Sequence, residues 1–213
     1  PRFDSIGVKQ IPQGVVSALA QDRAGFLWVG TSAGLMRYDG YSLRLQGADD
    51  KGAGNQGLGF TRALLAARDG RLWIGTESDG LARYDPATER VSFLRAEMSS
   101  SSSAELASAV HRQAGPAPTV RALAEDSDGA IWVGSVGGGL DRYDPATGRF
   151  THFRHSSAAG SLPDDRVQAL LIDRSGALWV GSWAGLSRRA KGSKTFEPVF
   201  SGAAKTGAAP NLA

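Results

Sequence analysis

The stretch GFLWVGTSAGLMRYDG, residues 25–40, indicates the fold because nearly the same string returns three times along the chain. The other copies are GRLWIGTESDGLARYD from Gly70, GAIWVGSVGGGLDRYD from Gly129 and GALWVGSWAGLSRRA from Gly176. Successive copies are 45, 59 and 47 residues apart, measured between Trp28, Trp73, Trp132 and Trp179. This spacing is typical of one four-stranded blade per repeat in a β-propeller. The stretch is therefore a repeated building block and not one isolated site.

Alternating apolar and polar residues, broken by turn residues, define four short strands in the third copy. They are VRALAED from Val120, AIWVGS, GLDRYD and RFTHF, separated by the turns SDG, VGG and PATG. Glycines stand three residues before and two residues after every repeat tryptophan, which favours strands joined by tight turns with positive φ. We predict one all-β domain over 1–213, a propeller segment of four four-stranded antiparallel blades. The blades cover 15–45, 60–94, 119–154 and 166–200, between a lead-in strand region over 1–14 and a tail over 201–213.

Two copies depart from the shared pattern, and one strand is spare. The second copy has Ala67 where the others have Asp, and the fourth replaces Tyr-Asp by Arg189-Ala190, which weakens one turn and one strand edge. RFDSI, residues 2–6, resembles an outermost strand, yet the fourth copy has its own candidate in KTFEPVF from Lys194. We therefore expect a piece of a larger ring, or a ring completed by a second copy of the chain. A short helix is predicted over 104–112, capped by Ser103.

The string ALxxDxxGxLWVGTxxGLxRYDPATGRFxxF, assembled from the four copies, resembles the two-component regulator propeller repeat. The resemblance covers almost the whole chain. It implies a sensing module and not an enzyme, with no cofactor. Such repeats form the extracytoplasmic sensor region of membrane-bound bacterial histidine kinases, hybrid two-component proteins and diguanylate cyclases. The expected location is therefore periplasmic, in an inner-membrane receptor.

Composition narrows the function classes further. There is no cysteine, which removes disulfides and thiolate metal sites. The formal charge is only +3 and the arginines are spread over the repeats, so no nucleic-acid partner is indicated. The sequence contains no run of about 18 apolar residues that could span a bilayer. We interpret the chain as an excised soluble domain, which would meet a membrane only through other parts of the full protein.

Several repeated residues have structural explanations. The four tryptophans are expected to pack between blades. The Asp-x-x-Gly turns lack the later ligands of a calcium loop, and His152 and His155 point to opposite faces of a strand, so no metal site is predicted. No nucleophile elbow is present, and we predict no catalytic residue. The arginines at one position of the third strand indicate a repeated ion pair or stacking on an aromatic ring; they are Arg37, Arg83, Arg142 and Arg188.

Two features exceed these structural needs and predict a ligand site. The innermost strands carry a polar arc at one shared position, namely Ser17, Arg62, Arg121 and Gln168. Trp183 is an extra aromatic in the turn after the second strand of the fourth copy, and Glu77 and Asp79 lie in the same turn of the second copy. The variable loops over 46–59, 96–119 and 155–165 emerge on that face, where binding is usually carried. We predict that Arg62, Arg121, Gln168, Glu77, Asp79 and Trp183 contact a small sugar-like or anionic inducer.

Other interpretations stay open at this point. The polar arc could line a water-filled channel, and Trp183 could pack under a loop. A propeller lyase or glycoside-active enzyme would need a converging acid and base, for which only Glu77 and Asp79 offer carboxylates in a turn of this kind. A protein-interaction scaffold would instead require large flat apolar patches on the surface.

Overall fold

The computed structural model describes residues 15–46, 58–94 and 116–201, and these residues contain strands and turns without a helix. The predicted helix over 104–112 and the spare strand over 2–6 lie outside the described residues. The strands are β1 Val16–Gln21, β2 Leu27–Thr31, β3 Gly34–Tyr38, β4 Leu43–Gln46, β5 Thr61–Ala66, β6 Leu72–Thr76, β7 Leu81–Asp85, β8 Arg90–Leu94, β9 Val120–Glu125, β10 Ile131–Ser135, β11 Gly139–Asp144, β12 Arg149–Phe153, β13 Val167–Ile172, β14 Leu178–Ser182, β15 Gly185–Arg189 and β16 Glu197–Ser201.

Each repeat folds into one sheet of four antiparallel strands, in the order of the chain. We call these sheets the first to fourth blades, and in each blade we call the strands a to d. The predicted architecture of four four-stranded blades is confirmed. The d strand of the fourth blade begins at Glu197 and not at Lys194, because Thr195 N donates to Ser193 Oγ and Phe196 N donates to Gly160 O. Those two bonds hold residues 195 and 196 in the preceding connection.

The blades are arranged in an open arc. Strand β1 lies beside β5, β5 beside β9, and β9 beside β13, so the a strands form the inner edge. Within the described residues no comparable contact joins β13 to β1. The arc is consistent with a segment of a larger ring.

The core lies between neighbouring blades and not inside any one of them. Trp28 of the first blade packs on Tyr84 of the second, with ring centroids 4.8 Å apart, and Trp73 packs on Tyr143 of the third at 5.3 Å. Trp28 and Trp73 are 1% and 0% exposed, which confirms their predicted packing role. Such aromatic pairs stabilise beyond the area that they bury. Trp179 of the fourth blade is covered by no further blade within the described residues and is only partly buried.

One class of glycine serves close packing and not turns, which corrects the sequence interpretation. Gly25 and its counterparts three residues before each tryptophan do have positive φ values, as predicted. The glycines two residues after each tryptophan do not. A Cβ on Gly75 or Gly134 would lie 2.6 Å from a Val Cγ1 of the next blade, Val120 or Val167. These glycines are required because the next a strand approaches their backbone.

Candidate functional site

The polar arc occupies bulges in the a strands. In β1 the pairing with β2 moves from Val16↔Thr31 to Ala18↔Gly30, so Ser17 has no partner across the sheet. The same slip occurs in the other three blades and leaves Arg62, Arg121 and Gln168 in the equivalent position. A bulge bends its strand and redirects the side chain of the extra residue. All four residues lie near the end of strand a that adjoins the b-to-c turn.

Glu77 lies between Arg62 and Arg121, so three of the predicted ligand-binding residues form one cluster. Arg62 Nε donates to Glu77 Oε2, and Arg121 Nη2 lies 3.9 Å from Glu77 Oε1. The Arg62 guanidinium also lies 3.6 Å from the centroid of the Phe60 ring, a cation–π contact. The three charged side chains are between 25% and 33% exposed, so solvent reaches them. This guanidinium cluster, Arg62, Glu77 and Arg121, offers a ligand both donors and a carboxylate acceptor.

The backbone around Glu77 explains why the cluster forms. Glu77 N donates to Phe60 O at 2.9 Å, and Thr119 Oγ1 donates to Glu77 O at 2.8 Å. The b-to-c turn of the second blade is thereby tied to the starts of strands β5 and β9. These two bonds place one carboxylate beside arginines of two different blades.

Trp183 occupies in the fourth blade the position that Glu77 occupies in the second. Each is the first residue after strand b, and Trp183 N donates to Arg166 O at 3.2 Å, as Glu77 N does to Phe60 O. Because Ser182 pairs with Gly185 as Thr31 pairs with Gly34, the counterpart of Trp183 in the first blade is Ser32. Trp183 and Glu77 therefore emerge on the same face of the arc.

Trp183 forms an exposed platform with an arginine that sequence analysis did not single out. The ring is 65% exposed, and the Arg166 guanidinium lies 4.5 Å from its centroid. Arg166 in turn donates to both carboxylate oxygens of Asp164, from Nε at 2.9 Å and from Nη2 at 2.5 Å. The hydrogen bond from the Arg166 side chain lowers the pKa of Asp164 to about 2. The Asp-x-Arg spacing just before a strand was the signal available in the sequence.

Gln168 and Trp183 lie apart from the guanidinium cluster. In the part of the chain that the structure describes, no hydrogen bond or ion pair connects Gln168 or Trp183 to it. Gln168 is exposed, and Asp79 N donates to Thr76 Oγ1 while its carboxylate lies beside Gly59. Ser17 Oγ donates to the carbonyls of Gly30 and Thr61, so this member of the arc links the first two blades.

The two histidines among the described residues are held by local contacts. His152 Nδ1 lies 2.6 Å from Asp141 Oδ1, and His152 Nε2 is buried without a hydrogen-bond partner. His155 Nδ1 lies 2.9 Å from the carbonyl oxygen of Leu162. Residues 15–46, 58–94 and 116–201 contain no group of three or more His, Asp or Glu side chains arranged to hold a metal ion.

The repeated arginines stack on the tryptophans of their own blades. The guanidinium carbon lies 5.9 Å from the ring centroid in every blade, for the pairs Arg37–Trp28, Arg83–Trp73, Arg142–Trp132 and Arg188–Trp179. The prediction of a repeated structural contact is confirmed. These arginines belong to the scaffold and not to the site.

Comparison with known families matches four stretches to the two-component regulator propeller, residues 10–33, 56–78, 114–137 and 161–184. Each stretch ends in the b-to-c turn that carries the candidate site residues. The chain belongs to the two-component regulator propeller repeat family. No curated protein sequence matches this propeller chain.

Solved structures show the same fold. The extracellular domain of a protein named as a hybrid two-component system from B. thetaiotaomicron aligns with a TM-score of 0.75 and 22% identity, over 92% of this chain and 26% of that one. A second such domain from the same organism aligns with a TM-score of 0.65 and 25% identity, over 86% of this chain and 21% of that one. Virginiamycin B lyase from Staphylococcus aureus aligns with a TM-score of 0.62 and 16% identity, over 89% of this chain and 57% of that one. The propeller chain thus spans about a quarter of the first of these neighbours. None of its described residues forms a helix able to cross a membrane.

Proposed function

We propose that this chain is part of the periplasmic ligand-sensing propeller of a bacterial inner-membrane receptor with two-component or cyclic-di-GMP output. The observation that carries the proposal is the match of four consecutive blades to the regulator propeller family. The fold shared with extracellular domains of proteins named as hybrid two-component systems supports it. Membrane attachment and output would reside outside this chain. Ligand binding would change the packing between blades or between receptor chains.

Binding without catalysis agrees with the chemistry of the site. A general acid or base must reach the proton that it transfers. The carboxylate of Glu77 is held by two guanidinium groups, and the free nitrogen of His152 is buried. The likeness to virginiamycin B lyase lies in the fold. These contacts favour a sensor over the alternative of a propeller enzyme.

The guanidinium cluster favours a sugar-like inducer over a strongly anionic one. Glu77 already neutralises one of the two positive charges, so a ligand carboxylate would compete with it for Arg62 and Arg121. Neutral hydroxyl groups can instead accept from the guanidinium groups and donate to Glu77. The exposed ring of Trp183 offers the flat apolar surface on which a sugar ring packs. Gln168 and Asp79 would contribute further polar contacts on the same face.

Calorimetric titration tests this site. Candidate neutral and acidic oligosaccharides are titrated into the wild-type chain, Arg121→Ala and Trp183→Ala. Loss of one charged hydrogen bond or of the stacking surface should weaken binding about tenfold or more in each variant. Arg44→Ala, an exposed change on the outer strand β4, is the matched control and should bind like the wild type. Unchanged affinity in both site variants, for a ligand that the wild type binds, would place the site elsewhere.

We also propose that further blades of a larger ring, or a second copy of the chain, cover the two ends of the arc. Leu19 of the first blade and Leu171 of the fourth are 61% and 62% exposed, although both lie on inner strands. At Gly181 the atom nearest to an added Cβ would be Cβ of Ala169 in the same blade, at 3.4 Å. At the equivalent glycines of the other three blades, the nearest atom belongs to the next blade, at 2.6 to 2.8 Å. The fourth blade therefore retains the glycine that a following blade would need.

Gly181→Ala tests the covering of the fourth blade. In the isolated chain the substitution should leave the Tm unchanged, because nothing of another blade lies near that backbone. In the full receptor a following blade should make it destabilising by about 1–3 kcal/mol, the usual cost of overpacking. Equal Tm shifts in the two contexts, both near zero, would contradict a covered fourth blade.

A further inference from the structure

The interface between the third and fourth blades is built differently from the other two. Where Tyr84 and Tyr143 pack on the tryptophan of the preceding blade, the fourth blade has Arg189. Its guanidinium carbon lies 4.9 Å from the centroid of the Trp132 ring and 5.3 Å from that of Phe153. The substitution predicted to weaken a strand edge thus also brings a cation into an apolar interface.

A cavity of about 390 Å³ opens beside Arg189, between the third and fourth blades. One wall of the cavity is apolar and consists of Phe153, Ile172 and Leu178. The c-to-d connection of the fourth blade contributes the side chains of Lys191 and Lys194 to the lining. The a-to-b turn of the third blade also borders it, so this inter-blade cavity lies on the face opposite the b-to-c turns. It is therefore separate from the guanidinium cluster and from Trp183.

The charges around the inter-blade cavity are unbalanced. Asp126 and Asp128 line it, but both lie against Arg142, at 3.0 Å from Nε and 3.9 Å from Nη2 respectively. Among the described residues, Arg189, Lys191 and Lys194 have no ion pair. Arg189 is partly buried, whereas Lys191 and Lys194 are exposed, and a partly buried charge without an ion pair is destabilising. The cavity lining therefore carries net positive charge.

Arg189 also lacks a hydrogen-bond acceptor. Its Nε is buried and has no partner. Burial, and then the nearby charge of Arg142, lower the pKa of Arg189 below its usual range. An anion in the cavity, beside the rest of the Arg189 guanidinium, would offset that repulsion.

We propose that the inter-blade cavity binds a small organic anion, a carboxylate with a flat apolar body. The carboxylate pairs with Arg189, with Lys191 and Lys194 nearby, and the apolar body packs against Phe153 and Leu178. The volume lies within the range of small-molecule sites. Arginine suits this role because its planar fork pairs a carboxylate with two hydrogen bonds. The ligand would bridge two blades and so couple occupancy to blade packing.

Nuclear magnetic resonance with benzoate and its neutral analogue benzamide tests the proposal. The ¹⁵N-labelled chain is titrated while the Arg189 Nε–H and Trp132 Nε1–H signals are followed, with Trp73 Nε1–H as the reference. Benzoate should shift the first two signals and leave the reference in place, and benzamide should bind at least about tenfold more weakly, for loss of the charged pair. Inorganic phosphate, which lacks the apolar body, should also bind more weakly than benzoate.

Variants make the test specific to Arg189. Arg189→Tyr restores the pattern of the other interfaces and Arg189→Gln keeps a polar side chain, and both should weaken benzoate binding about tenfold or more. Arg149→Gln removes an exposed charge of the third blade and should bind benzoate like the wild type. Any of three results would overturn the proposal. They are an affinity for benzamide equal to that for benzoate, an affinity for phosphate equal to that for benzoate, or unchanged benzoate binding by folded Arg189 variants.

Discussion

The second and third blades differ at one buried turn position, and the difference shows what holds a blade together. In the third blade, Asp126 Oδ2 accepts from Trp132 Nε1 at 3.2 Å and from Arg142 Nε at 3.0 Å. Asp126 Oδ1 accepts from two backbone N–H groups of its own turn, at residues 128 and 130. One carboxylate thus ties the turn, the tryptophan and the arginine together.

In the second blade Ala67 stands at this position, so the equivalent donors have no acceptor. Trp73 Nε1 and Arg83 Nε are both buried and have no hydrogen-bond partner. The turn nevertheless keeps its backbone bonds, from Ala67 N to Arg71 O and from Gly70 N to Ala67 O. The aspartate is therefore dispensable for the turn but needed to satisfy the donors beneath it. Unsatisfied buried donors cost about 1–3 kcal/mol each.

Removing the aspartate from the third blade should have the largest effect. Asp126→Ala would leave Trp132 Nε1 and Arg142 Nε in the state of their counterparts in the second blade. We expect the free energy of unfolding to fall by about 3 kcal/mol, measured by urea denaturation. Asp128→Ala, in the same turn but with a side chain 67% exposed, is the control and should cost less than about 0.5 kcal/mol. Similar losses in both variants would show that the carboxylate of Asp126 has no special role.

The glycine contacts should distinguish blade-to-blade packing from the aspartate anchor. Gly75 belongs to the second blade, which lacks the aspartate, and Gly134 belongs to the third blade, which has it. In both blades a change to Ala would place a Cβ 2.6 Å from a valine of the next blade. We expect each to lower the free energy of unfolding by about 2 kcal/mol. Gly181→Ala should be neutral in this chain, since no other blade is near. A clear difference between Gly75→Ala and Gly134→Ala would mean that the missing aspartate has already loosened the second blade.

Restoring the aspartate in the second blade should stabilise the protein. Ala67→Asp would give Trp73 Nε1 and Arg83 Nε an acceptor, although Glu125, which accepts from Arg68 N, adds a negative charge nearby. We expect a gain of about 1 kcal/mol, seen as a rise in Tm by calorimetry. Ala67→Leu, of larger volume but without an acceptor, separates hydrogen bonding from filling of space. A lower Tm for Ala67→Asp would show that the second blade has closed over its smaller side chain.

Acid should affect the aspartate turn of the fourth blade and spare the second blade, and this is the smallest effect. Hydrogen bonds from Ser175 Oγ and then Trp179 Nε1 hold the pKa of Asp173 well below its usual 3.8. A lowered folded pKa means that stability is present above 3.8 and is lost as pH falls from there through the folded pKa. Hydrogen exchange should therefore show protection falling in the fourth blade before the second. Asp173→Asn should flatten this pH dependence, and an unchanged profile would contradict it.

Much of the fold follows from local patterns in the sequence. The repeat period, the strand alternation and the turn glycines predict four blades because each is a property of neighbouring residues. The role of the tryptophans and of the stacked arginines could also be predicted, since one arrangement recurs four times. The spacing in KTFEPVF misplaced a strand start because the competing bond, from Phe196 N to Gly160 O, comes from a distant loop.

The candidate site depended on what the tertiary structure brings together. Local patterns were sufficient to predict which residues are polar on the inner strands and that Glu77 and Trp183 lie in b-to-c turns. The structure was needed to show that the arc residues sit on bulges, that Glu77 lies between arginines from two blades, and that Arg189 faces Trp132 across an interface. Strand patterns report on neighbours along the chain, whereas charge pairing and burial depend on residues of other blades. That is why repeats predict the scaffold so well and predict its individual sites so incompletely.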